Sequence, residues 1–288
     1  GQTGIFDKEK ADQLLEKVKG QTAVVQEVKR TKKSTPPPML YDLTELQRDA
    51  NRLYQMSPKQ TLNVMQSLYE RYKALTYPRT DSRYLTADIV PTLTERVQVV
   101  ARGEYAPLAR EILREKRSIA KACINDAKVS DHHAIIPTEA PVGLESMNNE
   151  EKRIYWLVVR RFLACFFPHY EYESLKLTLT CQGERFTAAG RTELHAGWKR
   201  VEQLRDEEEQ EEQSLPPVEK GQSFPLRNFQ RKALKTQPPA RYTEATLLSA
   251  MENPSAYITD KRMKEYIGGG LGTPATRADI IEKLFSSF

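Results

Sequence analysis

Apolar residues recur at helical spacing through most of the first half of the chain. Between positions 43 and 53 they follow each other at intervals of three and four, just after Asp42 and Glu45, a pair typical of a helix-capping box. A second helix is predicted to begin after Ser57, because Pro58 stands at its first position and Gln60 stands three residues after the cap. The same periodicity predicts further helices over 5–15, 86–102 with an interruption at Pro91, 106–123 and 150–166.

The spacing changes to alternation in the second half. Ser174–Thr180 and Arg185–Gly190 alternate polar and apolar residues, which predicts strands, and Thr22–Val28 predicts another strand near the amino terminus. A basic patch follows this first strand, and it either approaches phosphates or is a solvated strand end. Its members are Lys29, Arg30, Lys32 and Lys33.

Length and composition are compatible with a globular chain of several parts. The 288 residues allow one large domain or two to three smaller ones. An apolar content of 39% supports buried cores, whereas 29% charged residues and 17 prolines indicate an architecture broken by solvated segments. No apolar run approaches the ~20 residues of a membrane span, and no signal-peptide pattern opens the chain. We therefore expect no contact with a membrane.

Cysteine and charge restrict the function further. Cys123, Cys165 and Cys181 are odd in number and lack Cys-x-x-Cys spacing, so we expect neither a disulfide framework nor a zinc site, and a cytoplasmic location fits best. The net charge of +5 is modest, so nucleic-acid binding has to be argued from local patches. The run 206–212 carries six carboxylates and is expected to be a solvated loop that repels DNA.

The segment that carries most chemistry is Ala74–Leu85, in which Tyr77 stands two residues before Arg79. A tyrosine hydroxyl can attack a phosphodiester if a guanidinium stabilises the charge that develops on the phosphate. Pro78 pushes Tyr77 toward an extended backbone. In such a backbone Tyr77 and Arg79 point to the same side, and Thr80 points to the other. Taken alone, the spacing still favours an ordinary exposed turn.

Three segments considered together are more specific. Tyr77–Leu85, Ser130–Thr138 and Gly270–Ile281 follow each other along the chain. They resemble, in turn, the active-site tyrosine motif, the histidine motif and the downstream Gly-Thr-Pro-Ala-Thr-Arg motif of type IA DNA topoisomerases, in the form typical of bacterial topoisomerase III. The resemblance extends through nearly the whole chain. It favours a catalytic tyrosine over an exposed turn.

The resemblance implies an α+β multidomain fold that forms part of a toroid. Residues 1–41 and 168–236 are expected to form a discontinuous, β-rich arch domain, into which a helical domain with the active-site tyrosine is inserted over 42–167. Residues 237–288 are expected to form part of a helical domain that cradles DNA. Nothing in the chain resembles the acidic, metal-binding Toprim domain of the family. We therefore expect a central fragment that lacks this domain and the C-terminal end.

The motif positions assign roles to named residues. Tyr77 is the expected nucleophile, and Arg79 and His132 are expected to act with it on the scissile phosphate. The resemblance favours His132 over His133, which stands where some relatives carry glutamate, and adjacent side chains on a strand diverge too far to bind one metal ion. Supporting roles are expected for Thr80, Asp81, which would fix the arginine or the loop, and Ser82. DNA contacts are expected for Arg83, His133, Thr273, Thr276 and Arg277, and no metal ligand is expected.

The glycine-rich segment before the last motif allows two interpretations. Its four glycines, at 268–270 and 272, precede a helix that Thr273 is predicted to cap, with Pro274 at the first helical position. Backbone N–H groups in such a loop can cradle phosphates. A plain helix-capping loop is the alternative.

The resemblance implies a DNA topoisomerase. The intact enzyme would cut single-stranded DNA through a 5′-phosphotyrosyl intermediate, pass another strand and reseal the break without ATP. Mg²⁺ would be bound by the absent Toprim domain, so we expect no cofactor on this fragment, which would be inactive alone and monomeric. The alternative is a non-catalytic module that binds single-stranded nucleic acid. A tyrosine recombinase or Rep-type nickase is disfavoured, because no cluster of basic residues or of metal-binding histidines accompanies the tyrosine.

Overall fold

The computed structural model describes residues 4–203, 215–227, 230–266 and 270–287, and these fall into two compact units. The described residues of Gly1–Thr35, His169–Gly197 and Asp206–Pro239 form the sheet unit. Those of Pro36–Pro168, Trp198–Arg205 and Ala240–Phe288 form the helical unit. The acidic run 206–212 and the glycines at 268 and 269, both singled out in the sequence, lie outside the described residues.

The sheet unit is built on one antiparallel sheet of four strands in the order β3-β2-β1-β4. Strands β2 and β3 form a hairpin whose two turn residues, Gln182 and Gly183, have φ values of 51° and 79°. Positive φ at both positions is the geometry that matches the twist of the flanking strands. The elements are α1 (Lys8–Val18), β1 (Thr22–Thr35), β2 (Tyr170–Cys181), β3 (Glu184–His195) and β4 (Ser223–Pro225).

The apolar residues of these strands share one face of the sheet. Val25, Leu175 and Leu177 are buried there together with Val218. Farther along the same face, α1 contributes to a second small cluster through Val18. The three strands predicted from alternation are confirmed, and β1 continues well beyond Val28 because its pairing with β2 runs to Thr35.

The helical unit begins with the two helices whose caps the sequence predicts. The Asp42 carboxylate accepts a hydrogen bond from Glu45 N at 2.7 Å, and the Ser57 hydroxyl accepts one from Gln60 N at 3.1 Å. The helices are α2 (Leu43–Tyr54), α3 (Pro58–Glu70), α4 (Leu93–Val99), α5 (Ala106–Glu115), α6 (Asn149–Ala164), α7 (Lys199–Gln203), α8 (Glu244–Glu252), α9 (Lys261–Tyr266) and α10 (Pro274–Ser287). Short 3₁₀ turns occupy Ala87–Thr92, Gly103–Tyr105, Lys121–Cys123, Asp126–Lys128, Leu144–Ser146 and Pro254–Tyr257.

Two predicted helices have different bounds in the structure. The helix predicted over 106–123 ends at Glu115, because Lys116 adopts the left-handed conformation (φ 50°) and its N–H caps the last turn. The helix predicted over 5–15 runs instead from Lys8 to Val18, after Asp7 caps it. The interruption expected at Pro91 is confirmed, since a 3₁₀ turn there precedes α4.

The segment 240–287 packs against α2 and α3. Arg48 of α2 pairs with Glu252 of α8 at 2.6 Å, and Lys59 of α3 pairs with Asp279 of α10 at 2.5 Å. The division into an inserted helical domain and a separate DNA-cradle domain stays a prediction. None of the helices in the described part of the chain combines the length and the hydrophobicity that a membrane crossing requires.

Candidate active site

Tyr77 lies seven residues beyond the end of α3, on a segment that is tied to the histidine motif by a short antiparallel bridge. Leu75 is paired with Pro137, and Thr76 N donates to Ile136 O at 3.0 Å. The Thr76 hydroxyl in turn accepts a hydrogen bond from Ile136 N at 3.0 Å. This bridge places two motifs side by side that are more than fifty residues apart in the sequence.

The Tyr77 ring is held between two other rings. Tyr69 packs against it in a T-shaped contact, with 5.5 Å between centroids and an interplanar angle of 87°. The ring of His132 lies 4.1 Å away at 33°. Tyr77 is half-buried, and its hydroxyl makes no hydrogen bond to any described residue. The ring is therefore fixed by packing while its oxygen stays available to an incoming group.

Buried hydroxyls hold the loop that follows the tyrosine. Thr80 Oγ1 donates to the carbonyl of His132 at 2.8 Å and accepts from Ser82 N at 3.1 Å. Ser82 Oγ donates to the carbonyl of Lys128 at 2.9 Å. Both side chains are almost fully buried, at 3% and 4% exposed. They fix the backbone of this loop, and the supporting role expected of them in catalysis stays a prediction.

A cleft of about 240 Å³ brings the three motifs together. The tyrosine motif, the histidine motif and the start of α10 each contribute to its wall, and His132 both lines the cleft and contacts the Tyr77 ring. The lining residues are Arg79, Thr80, Asp81, Ser130, Asp131, His132, Thr273, Pro274 and Ala275. The cleft is the place where a phosphate beside Tyr77 would meet cationic, hydroxyl and backbone groups.

Arg79 and Asp81 are exposed in this cleft and are not joined by an ion pair. Asp81 was expected to fix Arg79 or the loop, and in this structure it does not pair with Arg79. The Arg79 guanidinium is left open to solvent on the cleft wall. A planar guanidinium in that position suits two parallel hydrogen bonds to one phosphate.

The two adjacent histidines have different surroundings. His132 is exposed in the cleft, whereas His133 is half-buried and its Nδ1 lies 2.7 Å from the carbonyl of Ala134, to which it donates. Burial lowers the pKa of His133, and the charge of Arg96 lowers it further. His133 is thus kept neutral at neutral pH, and His132 is the histidine that contacts the tyrosine.

Arg83 is engaged by acidic groups at the start of α2. Its Nε lies 2.7 Å from Asp42, and its Nη2 lies 3.3 Å from Glu45. A phosphate that contacted Arg83 would compete with these two carboxylates. The DNA contact expected of Arg83 stays a prediction, and the structure adds a second role, the anchoring of the tyrosine loop to α2.

Arg96 is a contributor to the site that the sequence analysis missed. It is 5% exposed, its Nη1 donates to the carbonyl of Pro137 at 2.8 Å, and its Nη2 pairs with Glu139 at 2.9 Å. It therefore fixes the end of the histidine motif from α4. The sequence places Arg96 between Leu93 and Val97 on the apolar side of a predicted helix. A cation buried there needs a specific partner, so this position could have indicated a structural role.

The glycine-rich motif turns sharply into α10. Gly270 has φ 85°, and a Cβ on it would lie 2.9 Å from the carbonyl oxygens of Met251 and Glu252, so no other residue fits. Helix α10 begins at Pro274 as predicted, and the hydroxyls of Thr273 and Thr276 lie 3.1 Å apart. These two hydroxyls are exposed beside the cleft.

Arg277 is buried rather than presented to solvent. It is 4% exposed, its Nε donates to the carbonyl of Leu271 at 3.1 Å, and its Nη1 donates to the Thr44 hydroxyl at 3.1 Å. The guanidinium thus ties the glycine-rich motif to α2. The DNA contact expected of Arg277 stays a prediction, and the structure adds an anchoring role between this motif and α2.

We expect Arg277→Ala to lower the free energy of unfolding by about 3 kcal/mol, because two hydrogen bonds from a buried charged group are lost and the fully buried Thr44 hydroxyl loses its donor. Both tryptophans, Trp156 and Trp198, lie in the helical unit, so urea unfolding followed by tryptophan fluorescence reports on that unit. The matched control is Arg262→Ala, at an exposed position on α9. Equal stabilities of the two variants would contradict the anchoring role.

Comparison with known families agrees with the three motifs. A family model described as DNA topoisomerase matches residues 1–287. The chain belongs to the DNA topoisomerase family. Its relatives include the DNA topoisomerase 3 of Bacillus cereus, 49% identical over 297 residues, and that of Bacillus subtilis, 48% identical over 295 residues. They confirm the resemblance to type IA enzymes of the topoisomerase III form.

The topoisomerase chain corresponds to only part of these relatives. The alignments cover 100% of this chain but 41% of either relative, so it spans about two fifths of their length. A solved structure of full-length topoisomerase I from Thermotoga maritima superposes with a TM-score of 0.72 over 99% of this chain and 43% of that one. At 24% identity this match shows that the fold is shared.

Type IA topoisomerases depend on Mg²⁺, an ion that binds oxygen ligands such as carboxylates. Within the described residues, no three histidine, cysteine, aspartate or glutamate side chains converge as a metal site would require. The proposed cleavage step therefore assigns no metal ion to the described residues of this chain.

Proposed function

We propose that this chain is the tyrosine-bearing part of an enzyme that cuts single-stranded DNA, allows another strand to pass and reseals the break. The observation that supports this most strongly is the meeting of three separate motifs at one cleft beside Tyr77. A tyrosine whose hydroxyl is unpaired, next to an exposed arginine and an exposed histidine, suits transfer of a phosphoryl group to the tyrosine.

In the proposed cleavage step, Tyr77 Oη forms a bond to the scissile phosphorus while the bond from phosphorus to the 3′ oxygen breaks. Arg79 and His132 would donate hydrogen bonds to the phosphate oxygens and stabilise the charge that develops there. The tyrosine loses its proton, and the leaving 3′ oxygen gains one. One phosphate ester replaces another, so the 3′ hydroxyl can later attack the tyrosyl phosphate and restore the DNA without ATP.

Further parts of the proposal come from the family. The acid that protonates the 3′ oxygen and the Mg²⁺ ligands would belong to a Toprim domain, and the sheet unit would form part of a toroidal arch. The enzyme would act on DNA in the cytoplasm as a monomer. This chain alone would show no relaxation activity.

Complementation tests the proposal against the alternative of a non-catalytic binding module. The chain is mixed with labelled single-stranded oligonucleotide and Mg²⁺, with and without a separately produced Toprim domain of a type IA topoisomerase. We expect a covalent protein–DNA adduct only when both parts are present. A stable non-covalent complex that never yields an adduct, under conditions where the Toprim domain is shown to bind the chain, would favour the binding module.

Separate alanine substitutions of the two histidines give a finer prediction. We use a chimera in which this chain replaces the matching region of the Bacillus subtilis enzyme, to which it is 48% identical. His132→Ala should slow adduct formation by about 10²-fold, because one donor to the phosphate is lost. His133→Ala should slow it less than about fivefold, because this side chain is turned to Ala134 O. The reverse order, measured by rapid quench, would show that the wrong histidine was chosen.

A further inference from the structure

The exposed face of the sheet unit concentrates positive charge. In an antiparallel sheet, residues that pair directly across strands lie on the same face. Lys29 pairs with Lys176, Thr31 with Ser174, and Ser174 with Arg191. We call this surface the basic face. It consists of Lys29, Thr31, Lys33, Tyr172, Ser174, Lys176, Arg185 and Arg191, with Glu27 between Arg185 and Lys29 along the sheet and Glu193 at the other end.

The pairing register divides the basic patch seen in the sequence into two groups. Arg30 lies on the apolar face, where it pairs with Glu173 at 3.0 Å, and Lys32 has the same strand parity. Lys29 and Lys33 lie on the basic face and are exposed, as is Lys176, which pairs with Lys29 on the next strand. The exposed group is therefore set by strand pairing and cannot be read from the run of basic residues alone.

The three lysines of the basic face are not neutralised by any described carboxylate. Lys29, Lys33 and Lys176 form no ion pair with a described residue. Arg191 lies over the ring of Tyr172 at 5.1 Å, which presents a cation and an aromatic ring side by side. Five cations stand against the two carboxylates of Glu27 and Glu193, a surplus of about three positive charges on one flat surface.

The spacing of these groups fits an extended polyanion better than a small anion. Lys29 and Lys33 are four residues apart on one strand, a distance of about 13 Å, and Arg191 lies two strands away, at about 10 Å. Such groups do not converge on one point. One strand of DNA presents a phosphate about every 3.4 Å along the helix axis, so this length matches about four phosphates. The hydroxyls of Thr31 and Ser174 add donors of the kind that contact phosphate and sugar.

We propose that the basic face is a second DNA-binding surface, which holds the sugar-phosphate backbone without sequence preference. The proposal takes DNA as the ligand from the proposed function but uses no residue of the Tyr77 cleft. An enzyme that passes one DNA segment through a break in another needs a surface for a segment that is not being cut. Failure of the cleavage chemistry would therefore leave this binding intact.

The test compares two triple variants of the full 288-residue chain. The first, Lys29→Gln, Lys33→Gln and Lys176→Gln, removes three charges from the basic face. The second, Lys19→Gln, Lys32→Gln and Lys220→Gln, removes three exposed charges of the same unit that are not members of the basic face. Arg191 is left in place because its contact with Tyr172 contributes to packing.

Binding is measured by fluorescence anisotropy over a salt series in EDTA, with a labelled single-stranded 25-mer and with the same sequence as a duplex. We expect the basic-face variant to bind at least about tenfold more weakly at low salt, with a salt slope reduced by about 2–3. The control should stay within about twofold of the unmodified chain. Loss on the single strand, the duplex or both supports the proposal and identifies the form that is bound.

Two results would overturn the proposal that the basic face binds DNA. Equal losses in the two triple variants would show that total charge, not this face, governs binding. Absence of salt-dependent binding by the unmodified chain at low salt would show that the face holds no DNA. The assay contains EDTA and measures binding without cleavage, so a failure of the proposed cleavage chemistry would not change its outcome.

Discussion

Tyr77→Phe in the chimera is expected to abolish both the covalent DNA adduct and the relaxation of negatively supercoiled DNA. The substitution removes the attacking oxygen and keeps the ring, so the contacts with Tyr69 and His132 are preserved. Because the hydroxyl makes no hydrogen bond to a described residue, the free energy of unfolding should change by less than about 0.5 kcal/mol. Gel analysis of the adduct and urea unfolding measure the two effects separately.

The matched control for this substitution is Tyr84→Phe in the same loop. Tyr84 also carries a hydroxyl, which Lys128 Nζ approaches at 3.0 Å, so it is the nearest substitute nucleophile. The Tyr84 variant should retain the adduct. An adduct that survives in Tyr77→Phe and disappears in Tyr84→Phe would transfer the nucleophile to Tyr84.

Arg79→Ala is expected to slow cleavage by about 10²–10³-fold, the usual effect of removing one strong stabiliser of developing charge. The side chain is exposed and without an ion pair, so its loss should leave stability unchanged within about 0.5 kcal/mol. Single-turnover adduct formation with saturating oligonucleotide measures the chemical step, because binding is complete before cleavage.

Two variants make the test of Arg79 specific. Arg79→Lys should recover only part of the rate, since an ammonium group cannot make two parallel hydrogen bonds to one phosphate. Arg110→Ala removes an exposed arginine on α5 and should cleave at the original rate. Full recovery by lysine would show that charge alone matters at this position, and an equal loss in Arg110→Ala would show a general effect of charge.

The features that the sequence could predict are local. The caps at Asp42 and Ser57 depend on residues three positions away, and the strands follow from alternation within a few residues. The helix over 106–123 was too long by eight residues because Lys116, a residue without a strong turn preference, adopts the left-handed conformation that ends α5. No neighbour of Lys116 signals that choice.

The features that the sequence could not predict depend on partners far away in the chain. Arg277 was expected to contact DNA, yet it is buried and its Nη1 donates to the hydroxyl of Thr44, 233 residues earlier. Lys29 and Arg30 are neighbours in the sequence, but their opposite orientations follow from strand parity and from a pairing register that shifts between Val25 and Glu27. The cleft itself forms only because the bridge between Leu75 and Pro137 and the packing of α10 bring three motifs together.

The measurement that tests the central claim most directly is identification of the residue that carries DNA. The chimera is incubated with a labelled single-stranded oligonucleotide, the adduct is trapped with denaturant and digested, and the DNA-linked peptide is sequenced by mass spectrometry. If the chain acts as proposed, the peptide contains Tyr77, and its phosphate is the 5′ phosphate of the downstream DNA fragment. A link to any other residue, or a link through a 3′ phosphate, would contradict the proposed chemistry.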